Sequence, residues 1–421
     1  MIAIFLVAVL LGFPVFISIG LSISSALVFN GLPLSFVSQQ CFTALLNFTF
    51  LAIPMFILAG FLMETGGLSK RIVNFCSSII GNVTGGLGII TILACAFFAA
   101  ISGSSPATVA AIGAMMIPSM VRHGYKVEFA SSIAASGGGL GILIPPSIPM
   151  IVYAVTAEVS IGEIFAAGFV PGALVALSFI IVVFVISKKR GYVGTGNSVS
   201  CSNILFNFKK SIWALMTPVI ILGGIYTGAF TATEAASVAV LYSLIVGLFI
   251  YKELKFSELP MIFVKTAITT ASTVVILGFA FAFARYMTML RVPHAVGEAI
   301  LAVTSSPLLI LCMFVILVLI TGMFMETNAQ ILIYTPLFLP ILTEFGVSPI
   351  HFGIILIVGT ELGLLTPPVG VNLFIAQGIS GCSLRKISVA VLPFVLAMLF
   401  CQLVLVFIPD LVTFVPDFFY N

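Results

Sequence analysis

Gly137-Gly138-Gly139-Leu140-Gly141-Ile142-Leu143-Ile144-Pro145-Pro146 cannot be wound into one continuous helix. Its glycines loosen the backbone, and the tandem prolines withhold two amide donors, leaving upstream carbonyls without helical partners. Yet the stretch lies inside Phe129–Ala157, an uncharged segment long enough to cross a bilayer. In hydrocarbon an unpaired carbonyl or amide costs several kcal/mol, so a break at that depth persists only where something else satisfies it, as ions and polar solutes do. Gly363-Leu364-Leu365-Thr366-Pro367-Pro368 repeats the pattern inside His351–Ile379.

Outward from these breaks the chain is apolar almost throughout. Of its 421 residues 61% are hydrophobic and 7% charged, against roughly 25% charged in soluble domains, which excludes a water-soluble fold. Uncharged runs of spanning length exclude an outer-membrane barrel and predict an all-α polytopic membrane protein. A formal charge of +3, scattered between apolar runs, is no nucleic-acid footprint. Cys41, Cys76, Cys95, Cys201, Cys312, Cys382 and Cys401 lie mostly within apolar runs, without metal-ligand spacing, and read as small core residues. No charge occurs from Met1 to Met63, so Ile2–Phe29 lacks the basic region of a secretory signal and is expected to remain as a span.

Further spans are expected at Cys41–Met63, Ile164–Ser187, Ile212–Phe230, Glu234–Tyr251, Met261–Ala284 and Ile387–Ile408. Gly86–Val121 and Pro307–Leu342 are too long and too interrupted for one crossing. Ser102-Gly103-Ser104-Ser105-Pro106 breaks the first and Glu326-Thr327-Asn328 the second, which predicts two re-entrant helical hairpins. By the positive-inside rule Lys70-Arg71, Arg122/Lys126, Lys188-Lys189-Arg190 with Lys209-Lys210, Lys252/Lys255 and Arg385-Lys386 are cytoplasmic. Glu158/Glu163, Glu344 and Asp410/Asp417 then lie outside, with the N-terminus cytoplasmic and the C-terminus periplasmic. Trp213 reads as an interface anchor, and Arg285 and Arg291 fall toward the outer face.

The chain also repeats. A constant shift of 222 lays residues 51–172 on 273–394 and aligns Pro118 with Pro340, Gly124 with Gly346, Gly137 with Gly359, Leu140-Gly141 with Leu362-Gly363, Pro145-Pro146 with Pro367-Pro368 and Pro171 with Pro393. These are residues that dictate backbone shape. Equivalent loops carry opposite charge, Arg122/Lys126 against Glu344, as inverted-topology repeats require. The expected division is residues 1–187 as one repeat, 188–233 as a cytoplasmic linker with one extra crossing, and 234–421 as the second repeat. Each repeat would carry a hairpin, at 86–121 or 307–342, and a broken helix, at 129–157 or 351–379.

Each break is expected beside the tip of its own hairpin, where Ser102, Ser104 and Ser105, or Glu326, Thr327 and Asn328, add side-chain oxygens. A cage of carbonyls and hydroxyls suits a hard, weakly charged cation such as Na⁺, and half-helix N-termini suit a carboxylate. Paired breaks argue against simple kinks, although Ser102-Gly103-Ser104 also reads as small-residue packing. Glu326, alone in an uncharged stretch, reads as functional, whereas Glu234 and Glu361 read first as structural, Glu234 as a helix cap. Asn372 is open between substrate contact and polar packing, and Arg285 between snorkelling and pairing with a carboxylate. His123, His294 and His351 sit at segment ends and read as interfacial, which leaves Ser104 without a base and disfavours an intramembrane hydrolase. No phosphate-binding loop supports an ATP-driven pump. A channel would want like polar groups repeated along its lining, whereas the two tips differ.

With Gly85-Gly86-Leu87-Gly88, Ser102-Gly103-Ser104, Gly139-Leu140-Gly141 and Pro145-Pro146-Ser147-Ile148-Pro149, the chain resembles the large membrane (permease, DctM-like) subunit of tripartite ATP-independent periplasmic (TRAP) transporters. Leu51-Ala52-Ile53-Pro54-Met55-Phe56, Thr233-Glu234-Ala235, Thr335-Pro336 and Gly363 to Pro368 carry the resemblance essentially end to end. The resemblance implies sodium-driven import of a carboxylate solute, such as a C4-dicarboxylate, sialic acid or another sugar acid, across the bacterial inner membrane. It implies a periplasmic binding protein (DctP-like), a small membrane subunit (DctQ-like) and an elevator-type fold, the hairpins and broken helices moving against a static scaffold. Because the chain opens on the large subunit's first helix, that small subunit is expected as a separate chain. By motif match one Na⁺ site falls on Ser102, Ser104, Gly141, Ile144 and Pro146, and another on Glu326, Gly363, Thr366 and Pro368, where the family usually has Asp in place of Glu326. Substrate is expected near Ser105, Thr327, Asn328 and Asn372. Sodium rests on the resemblance, since from the residues alone Glu326, Glu361 or Glu234 could carry a proton.

Overall fold

The computed structural model describes all residues except 81, 193–199, 303 and 421, so the middle of the expected linker Lys188–Lys210 lies outside the described residues. Among those described there is no strand, and seven helices are long and apolar enough to cross a membrane: Phe48–Thr65, Val127–Ala157, Ile161–Arg190, Cys201–Tyr226, Ala232–Ile250, Phe256–Met289 and Leu384–Phe407.

Both interrupted segments fold as helical hairpins, Gly86–Ser102 with Ser105–Arg122 and Pro307–Gly322 with Thr327–Glu344. The first turns at Gly103, whose φ of +59° is left-handed and open to glycine at little cost. A shift of 222 carries Ser105–Arg122 onto Thr327–Glu344 residue for residue, with Pro118 and Pro340 inside their helices. The first broken segment runs through Val127–Gly138, Leu140–Leu143 and Ile148–Ala157, and the second through Pro349–Leu364 and Val371–Ser380. The Pro145-Pro146 and Pro367-Pro368 bonds are both cis. Beyond each break the chain crosses to the other half: Ile148–Ala157 packs on Thr327–Glu344, and Val371–Ser380 on Ser105–Arg122.

The two halves use different side chains for equivalent packing. In the second, the Phe314 ring packs tilted at 4.8 Å from Phe338 and 5.0 Å from Phe352, binding hairpin to broken helix. Such pairs add roughly 0.5–1.5 kcal/mol beyond their burial. The counterparts in the first half are Ile92, Met116 and Ala130, and there Gly137 lets Ile92 and Cys95 close in.

Several elements depart from the expected spans. Ile2–Phe29 is two helices, Ile2–Leu10 and Val15–Phe29, folded back so that Ser22 Oγ donates to Met1 O at 2.8 Å. The chain reverses there because Gly12 is left-handed, at φ +82°, and Pro14 has no amide hydrogen. Short helices at Leu68–Ile80 and Val292–Leu301 precede the two hairpins at equivalent positions. Arg71 on the former bonds Glu253 at 2.7 Å and Gly67 O at 2.9 Å and lies over the Tyr251 ring. A final helix, Asp410–Tyr420, packs on Ile161–Arg190. His351 is buried rather than interfacial, with Nε2 bonded to Leu405 O at 2.8 Å, because its helix begins inside the packed bundle. His123 is exposed, and the side chain of His294 lies outside the described residues. Arg285 and Arg291 are exposed, and Cys76, Cys95, Cys382 and Cys401 are buried.

Candidate functional site

Each break lies against the tip of its own hairpin, and glycine makes the approach possible. A Cβ on Gly141 would stand 2.5 Å from Ser104 O and 2.7 Å from Thr108 Oγ1. One on Gly363 would overlap the Gly322 backbone. At the first tip Thr108 Oγ1 donates to Ser104 O at 2.8 Å and lies 2.8 Å from Ser102 Oγ, while Ile148 N donates to Gly103 O at 3.1 Å. Pro146 has no N–H to offer Ile142 O, which accepts from Ser147 Oγ at 2.8 Å instead. Pro145 likewise leaves Gly141 O without its helical donor, free to accept from or coordinate another group.

At the second tip both carboxylate oxygens of Glu326 are engaged. Oε2 accepts from Asn328 N at 2.9 Å and Ala329 N at 3.3 Å, and Oε1 from Asn328 Nδ2 at 2.8 Å, so Glu326 is the N-cap of Thr327–Glu344. Thr366 Oγ1 donates to Leu362 O at 2.7 Å, which leaves its lone pairs free, and Val369 N donates to Met323 O at 3.3 Å, joining break to tip. The buried oxygens Thr327 Oγ1 and Asn328 Oδ1 have no hydrogen-bond partner among the described residues.

A cavity of about 240 Å³ collects the two tips. Of the anticipated residues Ser102, Ser104, Ser105, Glu326, Thr327 and Asn328 line it, whereas Gly141, Ile144, Pro146, Gly363, Thr366, Pro368 and Asn372 do not. Asn372 is fully buried with its amide donated to Ser105 Oγ and Glu361 Oε1, both at 2.7 Å. Four helices point their N-terminal residues into the cavity: Ser105, Ile148, Thr327 and Val371. Some of their first amides are already bonded, Ile148 N to Gly103 O and Asn328 N and Ala329 N to Glu326, so it is chiefly their aligned dipoles that favour negative charge. No Lys, Arg or His side chain is among the described lining residues.

The sequence reading missed the opposite wall, formed by Gly60, Phe61 and Glu64 of Ala52–Thr65 and Thr269 and Thr273 of Leu259–Met289. A signal existed: Thr266, Thr269, Thr270, Ser272 and Thr273 crowd hydroxyls into an apolar helix, and Glu64 is the first charge in the chain.

Residues 2–411 match the family described as the tripartite ATP-independent periplasmic transporter, DctM component. This chain belongs to that family. It is therefore a TRAP transporter large permease, a multi-pass membrane transporter subunit and not an enzyme. A C4-dicarboxylate TRAP transporter large permease protein DctM from Pseudomonas aeruginosa is 42% identical over 371 residues, 88% of this chain and 87% of that protein. The sialic acid TRAP transporter large permease protein SiaM from Vibrio cholerae is 34% identical over 410 residues, 97% of this chain and 96% of its own length. An isethionate TRAP transporter permease protein DctMQ from Oleidesulfovibrio alaskensis is 43% identical over 418 residues, which are 99% of this chain and 65% of that longer protein. Among solved structures, the YdaH transporter of Alcanivorax borkumensis shares the fold, with a TM-score of 0.66 at 15% identity over 88% of this chain and 86% of that one.

Proposed function

We propose that this TRAP permease is the translocating subunit of a sodium-coupled importer in the bacterial inner membrane. Its cargo would be an organic anion handed over by a periplasmic binding protein, and a small membrane subunit would complete the assembly. The observation that carries this reading is the convergence of four helix N-termini and both hairpin tips on one cavity without a basic side chain. Such a cavity attracts an anion through backbone dipoles; the unpartnered Thr327 Oγ1 has a proton to donate, whereas the unpartnered Asn328 Oδ1 can only accept from a cargo hydroxyl or coordinate a bound cation.

Ser102, Ser104 and the Gly141, Ile144 and Pro146 carbonyls would hold one Na⁺; Glu326, Thr366 and the Gly363 and Pro368 carbonyls would hold another. Sodium there supplies the positive charge that the lining lacks. The hairpins and broken segments would move together as the mobile body of an elevator, because each break is sealed to its tip by backbone contact. The wall from Ala52–Thr65 and Leu259–Met289 would stay with the scaffold. Relatives whose names cite C4-dicarboxylate, sialic acid and isethionate share carboxylate or sulfonate anions as cargo, and the substrate of this chain is sought in that class.

The test is uptake into liposomes containing this chain, its small subunit and its binding protein, under imposed Na⁺ or H⁺ gradients, with labelled acids of those three kinds. Accumulation is expected to require inward Na⁺ and the binding protein. Ser104→Ala and Thr366→Ala should each raise the Na⁺ concentration for half-maximal uptake about tenfold, as loss of one ion ligand worth about 1.4 kcal/mol implies. Unchanged sodium dependence in both would overturn the site assignment. Equilibration that ignores the gradient and the binding protein would favour a channel.

A further inference from the structure

The fully buried side chains Ser105, Glu361 and Asn372 meet across the two halves of the molecule. Ser105 Oγ donates to Glu361 Oε1 at 3.2 Å; Asn372 Nδ2 donates to the same oxygen at 2.7 Å and to Ser105 Oγ at 2.7 Å, and stands 3.5 Å from Ala135 O. One oxygen thus joins the first residue of the first hairpin's outgoing helix to both helices of the second broken segment. Glu361 fits because Gly139 has no side chain: a Cβ there would overlap Oε1. Gly139 is also the position that the shift of 222 equates with Glu361. A residue that touches its own counterpart lies where the relation between the halves is centred. A tie at that point holds one half's tip to the other half's break.

We infer that Glu361 is a positioning residue that fixes the first hairpin tip against the second broken segment, so that both candidate ion sites move as one unit. The role of that tip as a cargo site rests on the function proposed above; the tie itself does not. Ser105 is the residue through which it acts, being bonded to Glu361 and also among the residues that line the cavity. The cost of an unpaired buried partner makes the tie sensitive to truncation and tolerant of any side chain that keeps the accepting oxygen.

The experiment uses the full permease complex in liposomes, free of native cysteines, with one cysteine at the cavity-lining position Ala107 just inside the tip. Glu361→Ala is expected to speed maleimide modification of that cysteine about tenfold, by raising the population in which the tip has swung away. Glu361→Gln, which keeps the accepting oxygen, should stay near the parent rate. A cysteine at Thr327, on the other hairpin, should be unaffected by Glu361→Ala, since no bond of this network reaches it. An unchanged rate at position 107 would overturn the inference, as would an equal rise in the Gln variant or at position 327. If Glu361→Ala does not assemble, Asn372→Leu carries the same expectation and the same overturning results. Labelling needs neither sodium nor a transported acid. Uptake that ignored both would overturn the transport reading and leave this result standing.

Discussion

Gly363 and Gly322 meet backbone to backbone, an approach that one added methyl group forbids. Gly363→Ala is therefore expected to destabilise the protein by about 2 kcal/mol, because neither neighbour has a flexible end that can yield. Gly378, on the exposed face of Val371–Ser380, has nothing near the same atom, and Gly378→Ala should leave stability unchanged or raise it by about 0.5 kcal/mol. Thermal unfolding of the purified variants in detergent checks both; equal effects would show that glycine content, not contact, sets stability. The importance of the Gly363 region was legible in the sequence from the glycine and proline pattern. Its partner Gly322 was not, because nothing local marks which backbone will come to lie against it.

At the scale of elements, the second hairpin's outgoing helix starts under a carboxylate. Glu326 receives two backbone amides and one side-chain amide, so Glu326→Ala should cost roughly 1 kcal/mol of cap, whereas Glu326→Gln keeps an accepting oxygen and should cost less. Thermal unfolding reads the cap and half-saturation by sodium reads the charge. A Gln variant as unstable as the Ala variant would remove the capping account. Glu234 shows the commoner form of the device, a capping box with Thr231; of it the sequence reading anticipated only that Glu234 caps its helix. The hairpins themselves were legible because an apolar run far longer than one crossing, interrupted by small polar residues, has few ways to fold in lipid. The folded-back N-terminus was not anticipated, since Gly12 and Pro14 sit in a stretch whose composition alone reads as one span.

At the scale of the whole molecule the proposed inversion makes a simple demand. Arg122 and Glu344 end the outgoing helices of the two hairpins, are related by the same shift of 222 and are both exposed. Inverted repeats place them on opposite faces of the membrane. A cysteine at Arg122 is expected to react with an impermeant thiol reagent only from the cytoplasmic side, and one at Glu344 only from the periplasmic side. Labelling of both from one side would refute the inverted arrangement.

The sequence by itself determined that this chain lives in a membrane and that it carries two hairpins and two breaks, related by a constant shift of 222. Apolar length, glycine and proline act locally, through hydration and backbone geometry, and are therefore written along the chain. Only the tertiary structure decided that the helices beyond the breaks cross to the opposite half, that Thr269 and Thr273 face the cavity, and that Asn372 turns inward to Ser105. Those outcomes depend on which surfaces meet across more than a hundred intervening residues. A buried hydrogen bond or a glycine contact rewards such a meeting only after the rest of the fold has brought its partners together.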